Sequence, residues 1–276
     1  MRIETVTSAQ NPKIKNLLLL QEKSKARKEQ GLFVVEGRRE LEHCLEAGFR
    51  VRTLFVCPEI SPCASLSRDD RTVISSEVEK SLCDNTYIIE VPLPLYRKIA
   101  VRDTTEGIVA EVECRNRSLD ELQLPKNPLV VVLEAVEKPG NLGAVLRSAD
   151  AAGADAVIVC DPLTDLWNPN LIRASIGAIF TVPTVAAPSA EVIPWLKAKG
   201  IRILTAQLQD SEWYYETPMT GPTALVMGTE STGLTDAWRV AADAHIRIPM
   251  LGRLDSLNVS VSAAILLFEA VRQRHA

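Results

Sequence analysis

The chain has 276 residues, of which 46% are hydrophobic and 24% charged, and a formal net charge of −4. That is ordinary for a globular protein with room for two domains, and the net acidity argues against a protein that coats nucleic acid non-specifically. No apolar run approaches the roughly 20 residues that cross a bilayer, and Met1-Arg2-Ile3-Glu4 does not begin a basic-then-apolar leader, so the expected compartment is the cytoplasm.

Residues 13–30 read as one basic amphipathic helix, with Ile14, Leu17, Leu18 and Gln21 on one side. Leu32 to Gly37 is a short strand that enters a second helix, Arg38 to Ala47, closed by Gly48 where a helix C-cap prefers glycine. Val51–Cys57 is a further strand, 58–67 is turn-rich, and Tyr87–Val91 and Gly107–Val112 are short elements of a mixed region. Charge is uneven here. From Arg2 to Arg39 there are nine Lys or Arg against four Glu, a run that either grips phosphates or forms a solvated helix face.

The six cysteines, Cys44, Cys57, Cys63, Cys83, Cys114 and Cys160, contain no CxxC pair, and His43, His245 and His275 lack ligand spacing. Neither a zinc site nor a disulfide framework follows, and no metal is expected.

From Glu113 to Asn127 apolar periodicity is lost, which reads as a linker. The predicted organisation is a domain over 1–113, a linker over 114–127 and a second domain over 128–276. Beyond the linker, strands and helices alternate. Strands are expected at 129–133, 156–160, 182–185, 201–206, 224–228 and 246–249, with helices at 141–152, through 171–177, at 189–199 and from about 257 to 274. Such alternation with continuously apolar strands predicts an α/β fold, a mostly parallel sheet covered by helices on both faces.

Three segments place small, polar and glycine residues at the ends of apolar runs, where an α/β sheet builds a ligand crevice. In the first, Gly140 and Gly143 allow close backbone approach and Asn141 is placed to cap the following helix. On that helix Val145, Ala149 and Ala152 form the inward stripe, and Arg147, about 200° from Val145, points outward. The second, Gly228 to Leu234, puts the Glu230 carboxylate either in the crevice or at the next helix N-terminus. In the third, Ile248 to Gly252 leads to Ser256-Leu257-Asn258, where Ser256 or Asn258 caps a last helix with Val261, Ile265 and Phe268 on one face. None of these is a dinucleotide fingerprint or a P-loop, since neither GxGxxG nor GxxxxGK[ST] occurs.

Together the segments resemble the SpoU/TrmH family of RNA ribose 2′-O-methyltransferases within the SPOUT superfamily. Asn-x-Gly-Ala-x-x-Arg at Asn141–Arg147, Gly-x-Glu-x-x-Gly at Gly228–Gly233 and Ser-Leu-Asn-Val-Ser-Val at Ser256–Val261 carry the resemblance, followed by Phe268 to Arg274. The region from Ser8-x-x-Asn11-Pro12 through Phe33–Gly37 resembles, on shorter patterns, a ribosomal-protein-like substrate-binding domain. The resemblance implies a trefoil knot in the carboxy-terminal domain, S-adenosylmethionine as cofactor and a homodimer with the site beside the subunit interface. It implies Ala206, Gly228, Ile248 and Leu257 as cofactor-binding residues, and Asn141, Arg147, Glu230, Ser256 and Asn258 as active-site residues. A guanidinium is a poor proton acceptor, so Arg147 is read as binding a target phosphate and stabilising the developing alkoxide, oriented by Glu230. The acceptor of the hydroxyl proton stays open. Lys13, Lys15, Lys23, Lys25, Arg27, Lys28, Arg38 and Arg39 become the RNA-binding candidates. Ribosomal RNA is the expected substrate, with transfer RNA, or a non-catalytic RNA binder on the same scaffold, as alternatives.

Overall fold

The structure, a computed structural model, describes residues 2–60, 86–102, 106–229 and 232–276. Most of the turn-rich stretch at 58–67, together with Cys63, Cys83 and Glu230, lies outside the described residues. The chain divides into two units. One comprises Met1–Arg115 with Trp167–Gly177, the other Asn116–Leu166 with Ala178–Ala276.

The first unit is built on a five-stranded sheet in the order β1-β4-β3-β5-β2. Its strands are β1 (Arg2–Thr5), β2 (Leu32–Glu36), β3 (Val51–Val56), β4 (Tyr87–Glu90) and β5 (Ile108–Glu113). β1, β4 and β3 run parallel, and β5 is antiparallel to β3 and to β2. Ile14, Leu17 and Leu20 of α1 (Pro12–Glu22) pack with Val34, Phe55, Ile89 and Val109 of the sheet and with Tyr96 and Ile99 of α4 (Leu93–Ile99). The predicted helix over 13–30 is two helices, α1 and α2 (Ser24–Gln30), because Lys23 between them is extended at φ −108°, ψ 112°. α3 (Arg38–Glu46) follows β2, and Gly48 beyond it has φ +80°, as the C-cap reading requires. Trp167 stacks on Phe33 with centroids 4.6 Å apart, and Phe49 meets both rings edge-on. The following α6 (Pro169–Ser175) packs on β2, so residues 167–177 build on the first unit although sequence order groups them with the second.

The second unit carries a seven-stranded sheet in the order β10-β12-β9-β11-β6-β7-β8, parallel throughout. The strands are β6 (Leu129–Glu134), β7 (Ala156–Cys160), β8 (Thr184–Ala187), β9 (Arg202–Ala206), β10 (Glu212–Trp213), β11 (Thr223–Met227) and β12 (Ala244–Arg247). β6, β7 and β11 are buried along their whole lengths, as strands covered on both faces must be. On one face Val130, Val132 and Val226 pack with Val192 and Leu196 of α8 (Ser189–Ala198) and Trp238 of α9 (Asp236–Ala241). α5 (Pro139–Ala151) and α10 (Val259–Arg274) pack on each other and against β7 and β11, while α7 (Ala178–Thr181) lies beside α5. Arg274 ties down the end of α10 through donors to the carbonyl oxygens of Asn127, Pro128, Met219 and Gly221.

Three further readings of the sequence gain detail in the structure. The linker over 114–127 is packed chain: Leu122 is buried in the second unit's core, with Leu119 and Leu124 against it, after a 3-10 turn boxed by Ser118 and Glu121. The face of α10 bearing Val261 and Phe268 is about half exposed, and the buried face is Val259, Ala263, Leu266, Leu267 and Ala270. On α5 the buried stripe is Leu142, Val145, Leu146 and Ala149, with Ala152 half-buried past the end of the helix.

Candidate active site

A parallel sheet brings the carboxyl ends of its strands to one edge, about 4.8 Å apart, so loops distant in sequence become neighbours there. Here the ends of β9, β11 and β12, adjacent in the sheet, surround a cavity of about 330 Å³. Ala206, Gly228, Ile248 and Leu257 all line it, as do Ser256, Asp255 and Val259 from the segment leading into α10. A second cavity of about 140 Å³ shares Gly228, Thr229 and Val259 with the first and is further lined by Glu134, Lys138 and Asn141.

The loop after β11 is tight. A Cβ built on Gly228 would lie 2.3 Å from the carbonyl carbon and oxygen of Gly233 and 2.6 Å from the Leu234 nitrogen. Only glycine fits that approach. Thr229 and Gly233 form an isolated antiparallel bridge, with Gly233 N–H donating to the Thr229 oxygen at 3.1 Å and Thr232 N–H to Thr229 Oγ1 at 3.0 Å. Gly233 supplies the positive φ, +67°, that closes the turn. Beyond the turn, Glu134 at the end of β6 accepts from Thr235 N–H at 2.8 Å and Thr235 Oγ1 at 2.7 Å. Ser189 links the same network to Trp238, accepting from its indole N–H at 3.0 Å and donating to Asp161 at 2.6 Å. This buried set fixes the start of α9 and with it the far end of the glycine loop.

Asn258 is the N-cap of α10: its Oδ1 accepts from Ser260 N–H at 3.0 Å and Ser260 Oγ at 2.6 Å. Its amide nitrogen is thereby turned to Asn141, donating to Oδ1 at 3.2 Å. Two candidate active-site residues from opposite ends of the unit therefore meet. Asn141 does not cap α5 as expected. Pro139 occupies N1 with Lys138 as N-cap, because proline's missing N–H costs nothing there, and this places Asn141 inside the first turn. Gly140 has open space around it, so the close approach expected in this segment is not made there. Ser256 is exposed at the cavity, its Oγ 3.3 Å from Asp255 Oδ1. Arg147 stands exposed on α5, as its phase predicts, and lines neither cavity. Glu230 lies outside the described residues.

Among the RNA-binding candidates, Lys15, Lys23, Lys25, Lys28 and Arg39 are exposed. Lys13 pairs with Glu4, and Arg38 with Glu42 at 2.9 Å on the same helix face. Arg27 is a correction. It is 3% exposed and donates to the carbonyls of Leu20 at 2.6 Å and Gln21 at 3.3 Å. The kink at Lys23 turns α2 back against the end of α1, so the guanidinium satisfies helix-end carbonyls instead of facing solvent.

Sequence reasoning missed Gln207, Arg239 and Arg247, which line the larger cavity, and Trp213, over which Arg247 lies. Arg247 is a lone cation between Ile246 and Ile248 in an edge-directed strand, and nothing local marks it. Glu134, closing an apolar strand, had a visible signal: a carboxylate at the end of a fully buried run needs partners.

Residues 128–268 match the model described as the SpoU rRNA Methylase family, and residues 11–110 match the MRM3-like substrate binding domain. A 23S rRNA (uridine(2479)-2'-O)-methyltransferase from Streptomyces viridochromogenes is 32% identical over 88% of this chain and 84% of its own length. The 23S rRNA (guanosine(2553)-2'-O)-methyltransferase RlmP of Bacillus subtilis (strain 168) is 30% identical over 96% and 98%. Among solved structures, the AdoMet-bound rRNA methyltransferase from Sinorhizobium meliloti is 30% identical and superposes with a TM-score of 0.85 over 98% of both chains. The chain belongs to the SpoU rRNA methylase family.

Proposed function

We propose that this protein is an S-adenosylmethionine-dependent enzyme that methylates a ribose 2′-hydroxyl in ribosomal RNA. One observation carries the reading: three separated segments converge on a single cavity lined by Ala206, Gly228, Ile248 and Leu257, beside the Asn141–Asn258 pair. The cavity suits the cofactor. Its size, about 330 Å³, falls within the roughly 300–1,000 Å³ of small-molecule sites, and Gly228, against which the Gly233–Leu234 backbone closes, shapes the wall that both cavities share. When bound, S-adenosylmethionine supplies an electrophilic methyl group on a sulfonium.

The chain's own task is then positioning and water exclusion. Gly228, Ile248 and Leu257 present backbone and apolar surface to the nucleoside. Asn258 holds the Asn141 side chain in a fixed orientation, so Asn141 presents a positioned polar group to the second cavity for a ribose. Arg147 serves a phosphate and the developing alkoxide. Its exposed position on α5 supports action beside a subunit interface. A homodimer is part of this proposal: Leu251 is 97% exposed and Leu254 76%, and with Val261 and Phe268 they leave apolar surface at the start and along the face of α10. The trefoil knot belongs to it too, supported by likeness to the AdoMet-bound relative. Lys15, Lys23, Lys25, Lys28 and Arg39 of the first unit are assigned to RNA phosphates, supported by their exposure and by the substrate-binding-domain match. The proposed compartment is the cytoplasm; no helix among the described residues is long and apolar enough to cross a membrane.

The test is transfer of labelled methyl from S-adenosylmethionine to unmodified ribosomal RNA, followed by mapping of ribose methylation. A single 2′-O-methylated nucleotide is expected. Methyl on a base, or transfer to transfer RNA alone, refutes the substrate assignment, and calorimetric binding of the cofactor without any transfer favours the non-catalytic binder.

A further inference from the structure

The four cofactor-binding residues carried by the resemblance are apolar or glycine, and none has a side chain that meets the charged end of an amino acid. Two cations line the same cavity, Arg239 of α9 and Arg247 at the end of β12. Arg247 lies over the Trp213 ring, its guanidinium carbon 4.3 Å from the centroid, so stacking fixes its plane. Among the described residues, the Nε of both arginines is buried without a hydrogen-bond partner, and so is Oε1 of Gln207, another lining residue. Gln207 is held by its other amide atom, which donates to the Gln209 carbonyl at 2.9 Å. The ion pair of Arg239 with Asp236 spans 3.7 Å to a carboxylate that is 93% exposed, which neutralises little. Buried polar groups are normally satisfied. Two guanidiniums and an amide oxygen left short around one cavity therefore mark groups that a ligand completes.

We infer that Arg239 and Arg247 bind the carboxylate at the methionine end of S-adenosylmethionine, and that Gln207 Oε1 accepts from its ammonium group. This rests on the cofactor reading above and assigns the one part of that ligand which the family residues leave unrecognised. It also gives the cofactor a direction. The molecule carries an anion at one end and a sulfonium cation nearer its middle, and a pair of guanidiniums attracts the first and repels the second. Only the orientation with the carboxylate against the arginines satisfies both. An RNA phosphate offers similar chemistry, but the arginines share their cavity with Ala206, Gly228, Ile248 and Leu257, which favours the cofactor's own anion.

The experiment is titration calorimetry of the full chain with two ligands, S-adenosylmethionine and 5′-methylthioadenosine, which keeps the adenosine and sulfur but lacks the amino-acid end. Arg239→Met and Arg247→Met are each expected to weaken S-adenosylmethionine binding roughly tenfold or more, the worth of a charge-assisted hydrogen bond, while methylthioadenosine binding stays within about twofold. Arg247→Lys recovers part of the loss. Equal losses for both ligands overturn the inference, since the arginines then merely support the cavity wall. Unchanged affinity for both overturns it as well, and if RNA affinity falls in the same variants the guanidiniums belong to a phosphate. A wild-type chain that binds neither ligand refutes the cofactor reading itself.

Discussion

Gly228→Ala is the most direct test of how the cavity is built. The added methyl would sit 2.3 Å from the Gly233 carbonyl carbon and oxygen and 2.6 Å from the Leu234 nitrogen, far inside ordinary van der Waals contact. All three atoms are backbone, so no side chain can rotate away. The strain resolves only by moving the 228–234 loop, which Thr229 to Gly233 hydrogen bonding and the Glu134–Thr235 contacts resist. Overpacking of this kind costs about 1–3 kcal/mol. Misplacement by about 1 Å lowers a positioned reaction on the order of 100-fold. The expected result is a drop in melting temperature, loss of cofactor affinity by calorimetry and about 100-fold slower methyl transfer. Gly221→Ala is the control: that position has open space around it and lies outside both cavities, so binding and turnover should not change. Wild-type affinity and rate in Gly228→Ala would refute the claim that this backbone contact shapes the cofactor pocket.

Asn258 has two separable duties. Asn258→Ala should cost about 0.5–2 kcal/mol in chemical denaturation through loss of the cap; Asn258→Ser should restore that stability but not turnover, because serine caps without supplying the amide donor to Asn141, and recovery of both would remove Asn258 from the active site. Arg27→Ala should destabilise the fold by about 1–3 kcal/mol, through orphaned helix-end carbonyls, and leave RNA affinity of the folded protein unchanged. Lys25→Ala and Lys28→Ala should do the opposite, each reducing the salt dependence of RNA binding by about 0.7–0.9 in the log–log slope; a stable Arg27→Ala with weakened RNA binding would reverse the correction. Burial above all raises the Glu111 carboxyl above its ordinary range, with hydrogen bonds from Thr53 and Asn16 opposing the shift. A group protonated more readily in the folded state stabilises below its unfolded pKa and loses that contribution as pH rises through the folded value. Glu111→Gln should therefore gain stability relative to wild type at neutral pH and lose the advantage under acid, as read from denaturation midpoints at both; a pH-independent difference would contradict it.

Much of the second unit was legible because it repeats one simple rule. Strands buried on both faces must be apolar throughout, and β6, β7 and β11 announce themselves that way. The elements that escaped are those too short to show a period: β10 with two residues, α7 with four and α9 with six. The first unit was harder. β1 contributes four residues, and the break at Lys23 has no glycine or proline to signal it, since the two helices are separated by that one extended residue and held together by the buried Arg27 of α2. The packing of Leu119, Leu122 and Leu124 was not legible because they do not repeat at helix period; they pack as a short 3-10 turn and the chain leaving it.

The site divides along a similar line. Gly228 and Asn258 were visible because each sits where backbone geometry demands a particular residue: a turn that excludes a Cβ and a helix that needs a cap. Such demands are local, so a sequence records them. Arg239, Arg247 and Gln207 answer to no backbone demand. Their placement depends on which strands become neighbours, and β12 lies beside β9 only because the chain crosses over β11 and returns. Trp213 reaches Arg247 through the same parallel edge pairing of β10 with β12. Charge that discriminates one end of a ligand from the other is thus held by topology, whereas the pocket's shape is held by local turns. A substitution at Gly228 and one at Arg247 should accordingly fail in different ways, the first against every adenosine ligand and the second only against those with a carboxylate.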